Sequence, residues 1–118
     1  MRRDPRVLLT DIDQAGADIE HFIEGMESEG YAADARTQGA VERKFEIIGE
    51  ALNRLHKEHP DLAARIPETR RIIDFRNLLA HGYDHVTPSR VWAIAKNDLP
   101  QLRKIVQVLL TELELPEE

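Results

Sequence analysis

Apolar residues recur along the chain at alternating steps of four and three, the signature of helices that each bury one stripe. Leu8, Ile12, Ala15, Ile19, Phe22 and Met26 form the first stripe and predict a helix from Pro5 to Glu27, with Asp4 as its cap and Pro5 in its first turn. Ser28, Glu29 and Gly30 are expected to break it. Val41, Phe45, Ile48, Leu52 and Leu55 mark a second helix that ends before Pro60, and Gly49 inside it reads as a point of close helix approach, since glycine costs about 1 kcal/mol of helix propensity there. Ile72, Phe75 and Leu79 mark a shorter third helix. Thr87 then caps, and Pro88 opens, a last helix with the stripe Val91, Ala95, Leu99, Leu102, Val106, Leu109 and Leu113. Pro100 should kink that helix, because it removes one hydrogen bond and crowds the carbonyl four residues back. No hairpin pattern competes. The fold class expected is therefore all-α, an up-and-down four-helix bundle with an extra short helix near Asp61 to Arg65. The whole chain, 1–118, reads as one domain, with a C-terminal Leu115-Pro116-Glu117-Glu118 that should fray.

Composition narrows the chemistry. With 118 residues, 42% of them hydrophobic and 32% charged, the chain has enough apolar material for a single core. It has no cysteine, so disulfides, thiolate metal sites and cysteine nucleophiles are excluded. The basic start Met1-Arg2-Arg3 is not followed by an apolar signal segment, and no stretch is apolar enough to cross a bilayer, so a cytoplasmic location is expected. A net charge of −6 argues against a non-specific nucleic-acid binder. The charge is uneven, however. Val7 to Ala35 holds eight acids and no lysine or arginine, whereas Arg65 to Arg90 holds Arg65, Arg70, Arg71, Arg76 and Arg90 against Glu68, Asp74 and Asp84. Ordinary solvated faces would also produce that contrast.

The positive stretch carries the most pointed pattern in the sequence. Arg76-Asn77-Leu78-Leu79-Ala80-His81-Gly82-Tyr83 spells R-x4-H-x-Y. Arginine keeps its charge at any working pH and can grip a phosphate through two N–H groups, while histidine titrates where proton transfer near neutrality needs it. Together they suit the cutting of a phosphodiester. Packing alternatives stand beside that reading: Arg76 can pair with an acid such as Asp74, His81 can cap a helix C-terminus, and Tyr83 can be a half-buried phenol. His81 with His85, and His56 with His59, have spacings that suit a metal but no evident third ligand, so no metal site is expected. His21 is expected at the surface or an interface, and Trp92 and Phe75 as core or interface anchors.

The block from Ala40 to Leu52, containing Ile47-Ile48-Gly49-Glu50-Ala51, followed by R-x4-H-x-Y, resembles the HepT-type toxins of the HEPN superfamily. The resemblance covers nearly the whole chain. It implies a metal-independent RNase toxin of a bacterial or archaeal toxin–antitoxin pair, active as a homodimer, with Arg76 and His81 catalytic and Asn77 in support. It further implies that a minimal nucleotidyltransferase antitoxin of the MntA type transfers AMP to Tyr83. The chain itself would need no cofactor, whereas that partner would use ATP and magnesium.

Helical geometry adds one condition. At about 100° per residue Arg76 and His81 point about 140° apart, while Arg76 and Tyr83 nearly align. Either the helix ends near His81 and Gly82 redirects the chain, or a two-fold partner brings both copies into one cleft. In such a cleft one imidazole takes the 2′-OH proton, another protonates the leaving oxygen, and Arg76 stabilises the phosphorane. The product would be a 2′,3′-cyclic phosphate. A different class also stays open, a non-catalytic helical module that binds nucleotide or docks the antitoxin.

Overall fold

The computed structural model describes residues 3–67, 72–74 and 87–113, and among these every regular element is helical. The elements are α1 (Pro5–Phe22), α2 (Ser28–Ala32), α3 (Ala35–Glu58), α4 (Pro60–Ala63), α5 (Pro88–Ala93), a π-helical turn (Ile94–Asp98) and α6 (Leu99–Leu113). The all-α expectation holds. Of the third predicted helix, residues 72–74 are helical, with Ile72 and Ile73 buried; Phe75 and Leu79 lie outside the described residues.

Helix α1 sits between α3 and α6. Cross-helix pairs set the directions. Lys44 Nζ lies 3.0 Å from an Asp18 carboxylate oxygen, while at the other end the Arg3 backbone N–H donates to Glu58 Oε1, so α1 and α3 are antiparallel. Arg103 and Gln107 of α6 both donate to Asp13, and Arg103 also donates to Glu20, so α6 is antiparallel to α1 as well. The shared core comprises Leu8, Ile12 and Ile19 of α1, Phe45, Ile48 and Leu52 of α3, and Leu99, Val106 and Leu109 of α6, each at most 1% exposed. Sequestering such side chains from water is the main force holding the helices together, at roughly 1.5–3 kcal/mol for each fully buried residue.

Several boundaries follow local chemistry as read from the sequence. The Asp4 carboxylate accepts from the Arg6 backbone N–H at the start of α1, and Thr87 Oγ1 accepts from the Arg90 N–H at the start of α5, each with proline in the first turn. The seven-residue stripe of the last helix is buried through Leu109, with Leu113 packed partly against the core. The extra short helix appears as α4, starting one residue before the expected span.

Two expectations need correction. Helix α1 stops at Phe22 rather than Glu27, because the chain turns through Gly25 at φ +79°, a left-handed conformation that glycine adopts without a Cβ clash. Phe22 consequently stays 36% exposed, and Ile23 occupies the buried position instead. Ser28 to Gly30 do not break the structure; they begin α2, whose Tyr31 is buried. At Pro100, where a kink is expected, a π turn immediately precedes the ring and widens the backbone where it would crowd the carbonyl of Lys96.

Close helix approach is seen at a glycine of α1. Gly49 is buried on α3, and Gly16 of α1 lies under a side chain: a Cβ there would come within 2.8 Å of Arg103 Cδ and 3.2 Å of Leu99 Cδ1. The Arg103 stem crosses Gly16 while its guanidinium spans Asp13 at 3.0 Å and Glu20 at 2.6 Å. Two of the acids in the apparently uncompensated N-terminal stretch are thus neutralised from a helix some 90 residues away, and Asp18 is neutralised by Lys44.

Among the described residues five carboxyls titrate below their ordinary values in the fold. The Arg6 side chain and backbone N–H hold Asp4 down to about 2. Lys44 and Gln14 lower Asp18, Thr37 lowers Asp34, the Arg3 N–H and Arg54 lower Glu58, and Arg65 lowers Glu112. A carboxyl with a depressed folded pKa stabilises the fold above its unfolded pKa and loses that contribution as pH falls through the folded value. The melting temperature should therefore fall as pH is lowered from about 4 to about 2. Asp4→Asn should flatten that acid limb in a series of circular-dichroism melts. Glu42 carries the opposite sign, since burial and then the Glu46 charge raise it; its contribution favours acid pH and fades as pH rises.

Candidate functional site

Arg76, Asn77, His81 and Tyr83 lie outside the described residues, as do Gly82, Asp84 and His85. The described chain on either side of residues 75–86 is held by packing and capping. Ile72 and Ile73, 4% and 2% exposed, sit in the core on the entering side. On the leaving side Thr87 Oγ1 bonds the Arg90 N–H at 3.2 Å and lies 3.1 Å from Ser89 Oγ, and Val91 is fully buried one turn later. Any chemistry on residues 75–86 is therefore borne between two fixed points of the bundle.

The second block that carried the resemblance, on α3, is chiefly a packing face. Val41, Phe45, Ile48, Gly49, Ala51 and Leu52 are buried, and of its charged residues Lys44 is spent on Asp18 while Arg43 lies 3.8 Å from Glu46. Glu42, half-buried, faces no described cation at ion-pair distance and carries the raised carboxyl noted above. Trp92 on α5 packs partly against the core, its ring centroid 5.5 Å from that of Tyr31, with Lys96 Nζ 5.5 Å from the ring on the exposed side. That bears out its reading as an anchor.

The arginines of the positive stretch have different surroundings. Arg65 makes a bidentate pair with Glu112, at 2.8 and 2.9 Å, which ties the turn after α4 to the end of α6. Arg90 is exposed, and Arg70, Arg71 and Arg76 lie outside the described residues. His21 is exposed, 3.7 Å from Glu24, and a His59 ring nitrogen lies 2.6 Å from the Arg3 carbonyl oxygen. Among the described residues no three His, Asp or Glu side chains converge on a common point. A cleft of about 330 Å3 opens between the end of α1 and the π turn, lined by Glu20, Ile23, Glu24, Gly25, Ala95, Lys96 and Pro100.

Two residues were missed by periodicity. Tyr31 hides behind Gly30 in what looked like a break, and only its bulk between small residues could have flagged it. Arg103 follows the core residue Leu102 and resembles a surface cation; the hint was the i, i+7 pair Asp13 and Glu20 along one edge of α1.

Among the described residues no helix is long and apolar enough to cross a membrane. The chain matches the family described as "Ribonuclease HepT-like" over residues 12–109. It is 35% identical over 103 residues to "Probable ribonuclease HepT" of Thermococcus cleftensis, covering 87% of this chain and 93% of that one. It is 30% identical over 113 residues to "Putative RNase MJ1216" of Methanocaldococcus jannaschii, covering 96% and 93%, and 30% identical over 106 residues to "Putative RNase TTE0752" of Caldanaerobacter subterraneus, covering 90% and 94%. No solved structure matches. The match spans α3, the R-x4-H-x-Y segment and most of α6 together, and on that ground the chain belongs to the HepT-like ribonuclease family.

Proposed function

We propose that this protein is a metal-independent endoribonuclease, the toxin of a toxin–antitoxin pair, in which Arg76 and His81 cut RNA with Asn77 in support. The observation that carries the reading is the intact R-x4-H-x-Y at Arg76 to Tyr83, inside a ribonuclease-family match that covers residues 12–109. The chemistry needs a base for the ribose 2′-OH, an acid for the leaving oxygen and a cation for the phosphorane. Two copies of His81 and Arg76 in a homodimer supply all three, and a two-fold axis overcomes their angular separation on one helix. The protein acts in the cytoplasm, where its substrate is.

The test is direct. Purified protein incubated with RNA in excess EDTA should still cut it, and the fragments should end in 2′,3′-cyclic phosphate. Loss of cleavage in EDTA, restored by magnesium or manganese, would replace this mechanism with a metal-dependent one. Light scattering should give a dimer at micromolar concentration.

Tyr83 is the control point in this reading. An MntA-type nucleotidyltransferase, using ATP and magnesium, transfers AMP to the phenol, placing a bulky anion beside the RNA path and a competing phosphate near Arg76. Tyr83→Phe should remain toxic yet escape neutralisation. Intact-mass spectrometry after co-expression should show AMP-sized additions on the wild type, and their persistence in the phenylalanine variant would refute the switch.

A further inference from the structure

Helix α2 buries a single side chain. Of its five residues only Tyr31 is buried, at 1% exposure; Glu29, Gly30 and Ala32 are exposed and Ser28 is intermediate. The Tyr31 ring is inserted between α3 and α5, against Trp92. Its hydroxyl is buried too, yet it finds no hydrogen-bond partner among the described residues. In water that hydroxyl would be satisfied, so docking α2 sacrifices a hydrogen bond that undocking restores. The attachment is otherwise light. No side chain caps the start of α2, and the clamp at its far end is Gln38, whose Nε2 donates to the carbonyls of Tyr31 and Ala32 at 2.9 and 3.0 Å.

The segment also has its own hinges. Gly25, at φ +79°, precedes it, and Asp34, outside both α2 and α3, follows it while capping α3 through Thr37. A rotation about these two points lifts Ser28–Ala32 at the expense of its contacts with α3 and α5, while the packing of α1 against α3 and α6 stays in place.

We propose that α2 is a releasable plug: Ser28–Ala32 swings out about Gly25 and Asp34 while the α1–α3–α6 core stays folded, withdrawing Tyr31 and uncovering the Trp92 ring and the adjoining face of α3. The orphaned hydroxyl biases this motion toward opening. Trp92 stands five residues after Thr87, where the chain leaves the R-x4-H-x-Y segment, so the uncovered aromatic face adjoins that segment in sequence. This inference does not depend on the ribonuclease reading.

Hydrogen exchange read by mass spectrometry on the full chain tests it. Amides of residues 28–33 should exchange faster than those of α1 and α3. Tyr31→Phe keeps the ring and deletes only the orphaned hydroxyl, so it should slow that exchange by roughly ten- to a hundred-fold. Gln38→Ala should speed it. Acrylamide quenching of Trp92, the single tryptophan, should follow the same order, lowest in Tyr31→Phe and highest in Gln38→Ala. Unchanged or faster exchange in Tyr31→Phe would mean that the hydroxyl is satisfied, by a water for instance, and would overturn the proposal. So would exchange of residues 28–33 at the rate of the α3 core, which would make α2 part of the global unit.

Discussion

Replacing His81 or Arg76 by alanine is expected to abolish RNA cleavage and growth inhibition while leaving the helical circular-dichroism spectrum unchanged. Removing a general acid–base group costs on the order of 10²–10⁴ in rate. Removing a charge that stabilises the transition state costs about 10²–10³. Because both groups act on one phosphorane, the double variant should be little worse than the weaker single one. Stability should survive, because neither substitution changes any described core residue of α1, α3 or α6. Cleavage at wild-type rate in either variant would remove that residue from the mechanism. A cooperative loss of helicity would instead make it a structural group.

Phe45→Ala should be the most damaging single change to the fold. Phe45 is fully buried at the middle of α3, within the hydrophobic core. Truncating a buried phenylalanine costs about 3–5 kcal/mol, from lost transfer energy and from the cavity left behind. Against a total stability of about 5–15 kcal/mol for a domain, that is enough to leave a substantial unfolded population. Urea titration should show the midpoint falling with the slope unchanged. A loss below about 1 kcal/mol would mean that α1 and α3 close over the vacated space. Activity should fall in step with the folded fraction, unlike the His81 variant, which should be folded and inactive.

The parts of this molecule legible in the sequence are those set by interactions within one or two helical turns. The Asp4 and Thr87 caps, the prolines at the starts of α1, α4 and α5, and the stripe from Val91 to Leu109 need only the 3.6-residue period and local hydrogen bonding. The first stripe was legible as far as Ile19. Its overrun to Glu27 came from reading Phe22 and Met26 as its continuation, when the left-handed turn at Gly25 had already ended the helix. Propensity alone does not disclose a positive φ.

The candidate site was legible in a different sense. The types and spacing of Arg76, His81 and Tyr83 name a chemistry, and the comparison with ribonuclease relatives supports it at the level of family. The role of the α3 block needed tertiary information. In sequence it looked like part of a functional signature; in the fold six of its residues are buried packing, and its lysine is bound to α1.

By itself, then, the sequence determined an all-α chain, the starts of α1 and α5, most of the buried stripes and the presence of an R-x4-H-x-Y segment, because each is written in neighbours close enough to interact along one helix. Only the tertiary structure decided which charges cancel. Arg103 meets Asp13 and Glu20, and Arg65 meets Glu112, across separations of 90, 83 and 47 residues that no local pattern encodes. It likewise decided that Gly16 makes room for the Arg103 stem and that Tyr31 enters the core with its hydroxyl unpartnered among the described residues. Those outcomes depend on how whole helices seat against one another, and burial by the bundle as a whole overrides the preference of a single polar group for water.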